Sequence, residues 1–145
     1  MRYVYLLPLL LTIVWSYTCN INEYKFALLR NQNYEIHGLW PEHCCNAIRT
    51  RWPEFCTQVT FDLAKLEPIL PQLRRSWYPT NNQTTQDELM AHEYLKHGSC
   101  TSYDIVGYFN TALCLYNKVD MTTCVDEQCL FDFKENEICG LMYNC

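Results

Sequence analysis

The sequence has little of what breaks, loosens or positively charges a chain. Its 145 residues include only four glycines and six prolines, too few for a collagen-like or low-complexity polypeptide. Lysine and arginine number 11 against 16 acidic residues, a formal charge of −5. No broad basic surface is therefore expected to hold polyanions by field alone, and any contact with nucleic acid has to be local and geometric. There is no C-x-x-C pair, no G-x-S-x-G and no H-E-x-x-H, which removes the commonest signatures of zinc ribbons, hydrolase nucleophiles and zinc proteases. No internal repeat is visible, and no apolar run reaches the roughly 20 residues of a membrane span. The length fits one domain.

Cysteine is abundant instead. Ten are present, at 19, 44, 45, 56, 100, 114, 124, 129, 139 and 145, an even number that predicts up to five disulfides in an oxidising compartment. Zinc is the rival use, but the vicinal pair Cys44-Cys45 places two sulfurs poorly for one tetrahedral metal. Ahead of the first cysteine, residues 1–18 read as a secretory signal: Met1-Arg2, an apolar run over 3–15, then Ser16 and Thr18. As a membrane anchor that run is too short, about 13 residues, and Pro8 interrupts it. Cleavage is expected before Tyr17 or Cys19, leaving a mature domain over 19–145. The product is expected to be secreted or held in an endomembrane, lysosome-like compartment. Asn82-Gln83-Thr84 is an N-glycan acceptor in a polar stretch.

The hydrophobic pattern predicts an α+β domain. Segments 24–29 (YKFALL) and 34–39 (YEIHGL) read as strands joined by a turn. Residues 41–60 read as a pinned loop with at most a helical turn. Residues 63–77 have helical apolar spacing broken by Pro68 and Pro71. A turn-rich loop over 79–86 precedes a helix over 87–97 that stops at Gly98, and a second helix spans 103–119 with Val106, Phe109, Leu113 and Tyr116 on one face and Asp104 at its start. Segments 128–133 and 137–143 read as two closing strands.

Chemistry concentrates in two segments, Ile36-His37-Gly38-Leu39-Trp40-Pro41-Glu42 and His92-Glu93-Tyr94-Leu95-Lys96-His97-Gly98-Ser99-Cys100. On a helix, with His92 at zero, Lys96 falls at about 40°, Glu93 at about 100° and His97 at about 140°. Two imidazoles, a carboxylate and an ammonium thus share one face, a poor core and a good polar site. The simplest alternative, a solvated charged face with a surface Glu-Lys pair, leaves two histidines beside HGSC unexplained. His92-Glu93 begins like a zinc-protease motif, but Lys96 stands where the second histidine is required. Cleavage of RNA needs neither a metal nor a protein nucleophile, because the ribose 2′-hydroxyl attacks the neighbouring phosphorus. It needs a base, an acid and a cation, and histidine serves both proton roles near neutral pH.

HGLWP and HEYLKHGSC together, in this order and in an exported cysteine-rich chain, resemble the two active-site segments of the T2 ribonucleases. The resemblance covers roughly 24–121 and is looser beyond. It implies an antiparallel β-sheet packed against several helices and stapled by disulfides, and an endoribonuclease that takes single-stranded RNA through a 2′,3′-cyclic phosphate without a cofactor, leaving DNA intact. His37 would be the general acid and His97 the general base, with His92 binding the phosphate, Glu93 and Lys96 stabilising the pentacovalent state, and Trp40 stacking on a base. Glu42 would contact substrate where the family often has aspartate. It also implies a bond between Cys56 and Cys100, and one from Cys19 to Cys44 or Cys45. A monomer is expected. Tyr94 and Leu89 replace the family's frequent tryptophan and phenylalanine, changes that touch base preference more than phosphate chemistry, and the stretch after the second helix is shorter than in many members. The alternative is a secreted RNA-binding or receptor-binding effector that keeps the fold with little or no turnover. His43 reads as a loop residue, Trp52, Phe55, Trp77 and Tyr78 as packing, and Arg49, Arg51, Arg74 and Arg75 as solvated charge, with steering of RNA phosphates as the alternative.

Overall fold

The computed structural model describes residues 21–30, 33–44, 53–79 and 83–134, with the side chains of 23–30 and 33–42 in the first two stretches. Among these, three strands and three helices form an α+β domain. Strand β1 (Ile21–Arg30) pairs antiparallel with β2 (Tyr34–Cys44) on one side and with β3 (Gln128–Lys134) on the other, giving the order β2-β1-β3. Alternation in β1 turns Tyr24, Phe26 and Leu28 into the core, each at most 1% exposed. The expected first and second strands are both present and longer than expected. β2 continues through Pro41 to Cys44, where a loop was expected. Proline is tolerated there because β2 takes β1 as its partner on one side, and an outer strand does not need every N–H.

One register irregularity matters. Ala27 faces Gly38 but Leu28 faces Ile36, so His37 is the extra residue of a β-bulge. The bulge lets Ile36 and Leu39, three apart, both reach zero exposure in the core, and it takes His37 out of the pairing ladder.

The broken helix over 63–77 resolves into a 3-10 turn (Leu63–Leu66) and helix α1 (Leu70–Ser76), with Pro71 in the first turn of α1, where its missing N–H costs nothing. Helix α2 (Gln86–Lys96) begins at a capping box: Glu88 N–H donates to the Thr85 hydroxyl and Thr85 N–H donates to the Glu88 carboxylate. His97 caps its C-terminus and a 3-10 turn (Gly98–Cys100) follows. Helix α3 (Ile105–Lys118) is capped by Asp104, which accepts from Gly107 N–H. Its buried face is wider than the sequence pattern indicated. Ile105, Tyr108, Phe109, Ala112 and Leu115 are buried, and Val106 only partly.

The core sits between the sheet and the three helices, where Trp77, Phe109, Tyr108 and Tyr94 stack edge to face. Trp77 is fully buried as packing, whereas Phe55 and Tyr78 are 62% and 40% exposed and do not pack as expected. Two disulfides join described residues, Cys56–Cys100 and Cys124–Cys129, and Cys114 is disulfide-bonded as well. The expected signal segment, the Cys19 bridge, Asn82 and the closing strand over 137–143 lie outside the described residues. Among the described residues no helix is long and apolar enough to cross a membrane.

Candidate active site

The two histidine segments meet at the C-terminal end of α2. β2 supplies His37, Gly38 and Trp40; α2 and the residue that caps it supply Glu93, Lys96 and His97. Trp40 contacts both histidines, its ring centroid 5.5 Å from that of His37 and 5.6 Å from that of His97. Its indole N–H donates to Glu93 Oε2 at 2.9 Å. The family resemblance implied base stacking for Trp40; in the fold its indole N–H also holds the carboxyl group.

Gly38 is required by space, since its φ is not positive. A Cβ at this position would collide with the Glu93 carboxylate and the Trp40 indole. Tyr108 ties the two elements from below, its hydroxyl donating to the Leu39 carbonyl at 2.9 Å and lying 3.5 Å from that of Glu93.

The polar face of α2 does not stay uniformly solvated. Glu93 is 3% and His97 5% exposed, Lys96 is half-buried and His92 exposed. Burial therefore sets the protonation states. It pushes the Glu93 carboxyl up to about 7, with the Trp40 hydrogen bond and the Lys96 charge opposing it. It pulls His97 down to about 3, assisted by the Lys96, His92 and His37 charges. His37 is lowered as well, by burial and by the His92 and Lys96 charges. The buried Nδ1 atoms of both His37 and His97 lack a hydrogen-bond partner among the described residues.

A segment whose role the sequence marked only through the expected Cys56–Cys100 bond braces the site. Phe55 N–H donates to the Lys96 carbonyl at 2.8 Å, Cys56 N–H to Ser99 Oγ at 3.1 Å, and Thr57 Oγ1 to the Ser99 carbonyl at 2.8 Å. The Cys56–Cys100 bond closes the same junction, in line with the pairing the resemblance implied. Glu54, which sequence reasoning passed over, lies 3.4 Å from Lys96 Nζ. Glu42 is placed differently from the rest. Its carboxylate is 3.5 Å from Lys25 Nζ, which also reaches Asp132 at 2.6 Å, in a groove of about 450 Å³ across the three strands. Its described contacts are with that groove, whereas Trp40 contacts the histidines.

Chemically the arrangement offers two imidazoles of different basicity, a carboxyl that is neutral below about 7, and a lysine ammonium at the rim. The class of protein this defines is an α+β domain with a disulfide-braced, two-histidine site suited to proton transfer. The chain belongs to the Ribonuclease T2 family, whose profile matches residues 7–131. It is 28% identical over 125 residues to Ribonuclease DdI of Dictyostelium discoideum, a match covering 83% of this chain and 51% of that protein. To Ribonuclease S-3 of Petunia hybrida it is 34% identical over 102 residues, 65% of this chain and 43% of that one. The chain thus spans about half the length of these relatives. Among solved structures it shares the fold of RNase NT in complex with 5′-AMP (TM-score 0.61, 20% identity, 72% of this chain and 60% of that one) and of human RNase T2 (TM-score 0.55, 20% identity, 70% and 59%).

Proposed function

We propose that this chain is a secreted endoribonuclease that cleaves single-stranded RNA through a 2′,3′-cyclic phosphate. The carrying observation is that His37 and His97 both lie against Trp40, 5.5 and 5.6 Å from its ring, beside a buried carboxyl. Family membership and the ribonuclease names of its relatives support the activity, and the 5′-AMP bound to RNase NT supports a nucleotide ligand.

In this reading His97, neutral down to about 3, accepts the proton of the ribose 2′-hydroxyl as that oxygen attacks phosphorus. The bond from phosphorus to the 5′ oxygen breaks, and protonated His37 delivers a proton to the leaving oxygen. The products are a 2′,3′-cyclic phosphate and a 5′-hydroxyl end. Water then opens the cycle with the two histidines in exchanged roles, leaving a 3′-phosphate. His92 binds the phosphate, Lys96 carries positive charge to the phosphoryl oxygens, and Glu93, as a neutral acid, donates a hydrogen bond where charge develops. Side chains handle every proton, so the reaction as written calls for no metal, and DNA lacks the attacking hydroxyl.

The test is incubation of the protein with single-stranded RNA and matched DNA in excess EDTA, with His97→Ala in parallel. Cyclic or 3′-phosphate ends from RNA alone, lost in the variant, are expected. Intact RNA between pH 4 and 8 would overturn the reading and leave an RNA- or receptor-binding protein of the same fold.

A further inference from the structure

The contact between Lys96 and Glu54 is out of keeping with a site for a polyanion. It sets a carboxylate 3.4 Å from the ammonium that is to meet phosphate. The pair contributes little to folding, since the two side chains are 27% and 46% exposed and solvent screens them. Yet the segment that carries Glu54 is fixed with unusual thoroughness. Phe55 has φ 50°, a left-handed conformation that a bulky L-residue adopts only when its surroundings impose it. Those surroundings are the hydrogen bonds of Phe55, Cys56 and Thr57 to the Lys96 and Ser99 positions and the Cys56–Cys100 bond. A strained turn, anchored through residues 55–57, presents the carboxylate of Glu54 to Lys96.

We propose that Glu54 is a positioning residue that acts through Lys96. It holds the ammonium at the edge of the histidine cluster in the empty protein and gives it up to the phosphate of the bound strand. This rests on the ribonuclease reading for the identity of the strand, but not for the charge exchange itself. An exposed pair suits the role, because solvent screening leaves it weak enough to be exchanged. The cost falls on affinity: phosphate has to displace a carboxylate and then lie near it.

The test pairs titration calorimetry with inorganic phosphate, at low salt, with steady-state cleavage of single-stranded RNA. The variants are Glu54→Gln, Glu54→Asp, Lys96→Met and the Glu54→Gln, Lys96→Met double variant. Removing one unit charge at this distance is expected to tighten phosphate binding and lower KM about three- to tenfold in Glu54→Gln, with the change carried by KM rather than kcat. Glu54→Asp, which keeps the charge, returns most of the wild-type Kd. In the Lys96→Met background the gain from Glu54→Gln shrinks by at least about half, as coupled residues require. An unchanged or weakened phosphate Kd in Glu54→Gln would overturn the proposal, as would an equal gain in both backgrounds, which would mean that Glu54 acts by its own field. A wild-type protein that leaves RNA intact while the phosphate measurements behave as expected would refute the ribonuclease reading and sustain the role of Glu54.

Discussion

Glu93 gives the sharpest test of the electrostatics. Glu93→Gln keeps the shape of the side chain and an oxygen to accept the Trp40 N–H, and it removes the ionisation. Burial raises the wild-type carboxyl from an ordinary 4.5 to about 7 in the folded protein. Between those values the folded state holds a proton that the unfolded chain has released, so the contribution of this group to stability falls as pH rises. At about 1.4 kcal/mol per pKa unit, the loss reaches about 3 kcal/mol above the folded value, a large part of the roughly 5–15 kcal/mol that holds a domain. His97 has the opposite dependence, its stabilising contribution growing as pH rises from about 3 toward 6.5, so the wild-type curve alone mixes two slopes. The difference between wild type and Glu93→Gln isolates one. Urea denaturation from pH 4.5 to 8 is expected to show the two proteins close at pH 4.5 and the variant ahead by about 3 kcal/mol at pH 8. A difference independent of pH, or one that turns in favour of wild type as pH rises, would refute a carboxyl kept neutral by burial.

Activity follows its own pH window. With His97 at about 3 and His37 below its ordinary 6.5, kcat/KM on RNA is expected to be highest between these limits and to fall at least tenfold per pH unit above 6.5, as His37 loses the proton it must donate and, above about 7, Glu93 ionises as well; a rate still climbing at pH 9 would contradict the assignment. Gly38→Ala drives a methyl group into the Glu93–Trp40 contact, and a loss of about 1–3 kcal/mol in stability together with most activity is expected from overpacking; thermal melting and RNA turnover measure both. Cys56→Ser with Cys100→Ser removes a cross-link between residues 44 apart, worth up to about 4 kcal/mol on loop-closure entropy, and a drop in both Tm and turnover is expected; full activity with these thiols free would contradict a bracing role.

The local code of the chain already carried much of this. Strand alternation in 24–29, the proline break in 63–77 and the Asp104 cap are short-range patterns, and each element formed where its pattern lay. Helical spacing placed His92, Glu93, Lys96 and His97 on one face, and the resemblance of HGLWP and HEYLKHGSC to the T2 ribonucleases joined His37 and Trp40 to them. Tertiary contacts decided the remainder. The bulge at His37 arises from a register between two strands, which no single segment specifies. The same cross-strand pairing carried β2 past Pro41 to Cys44 where the local composition reads as loop. Glu93 was legible as a carboxylate, but its rise to about 7 is a desolvation effect that exists only once β2 and α3 close over it. Glu54 and Lys96 lie 42 positions apart and meet because a disulfide and three hydrogen bonds fold one segment onto another. Sequence fixes which groups are present and the face each occupies on its own element. Burial, field and partner belong to the space between elements, and for this protein those three quantities set the protonation state of every group in the site that titrates away from its ordinary value.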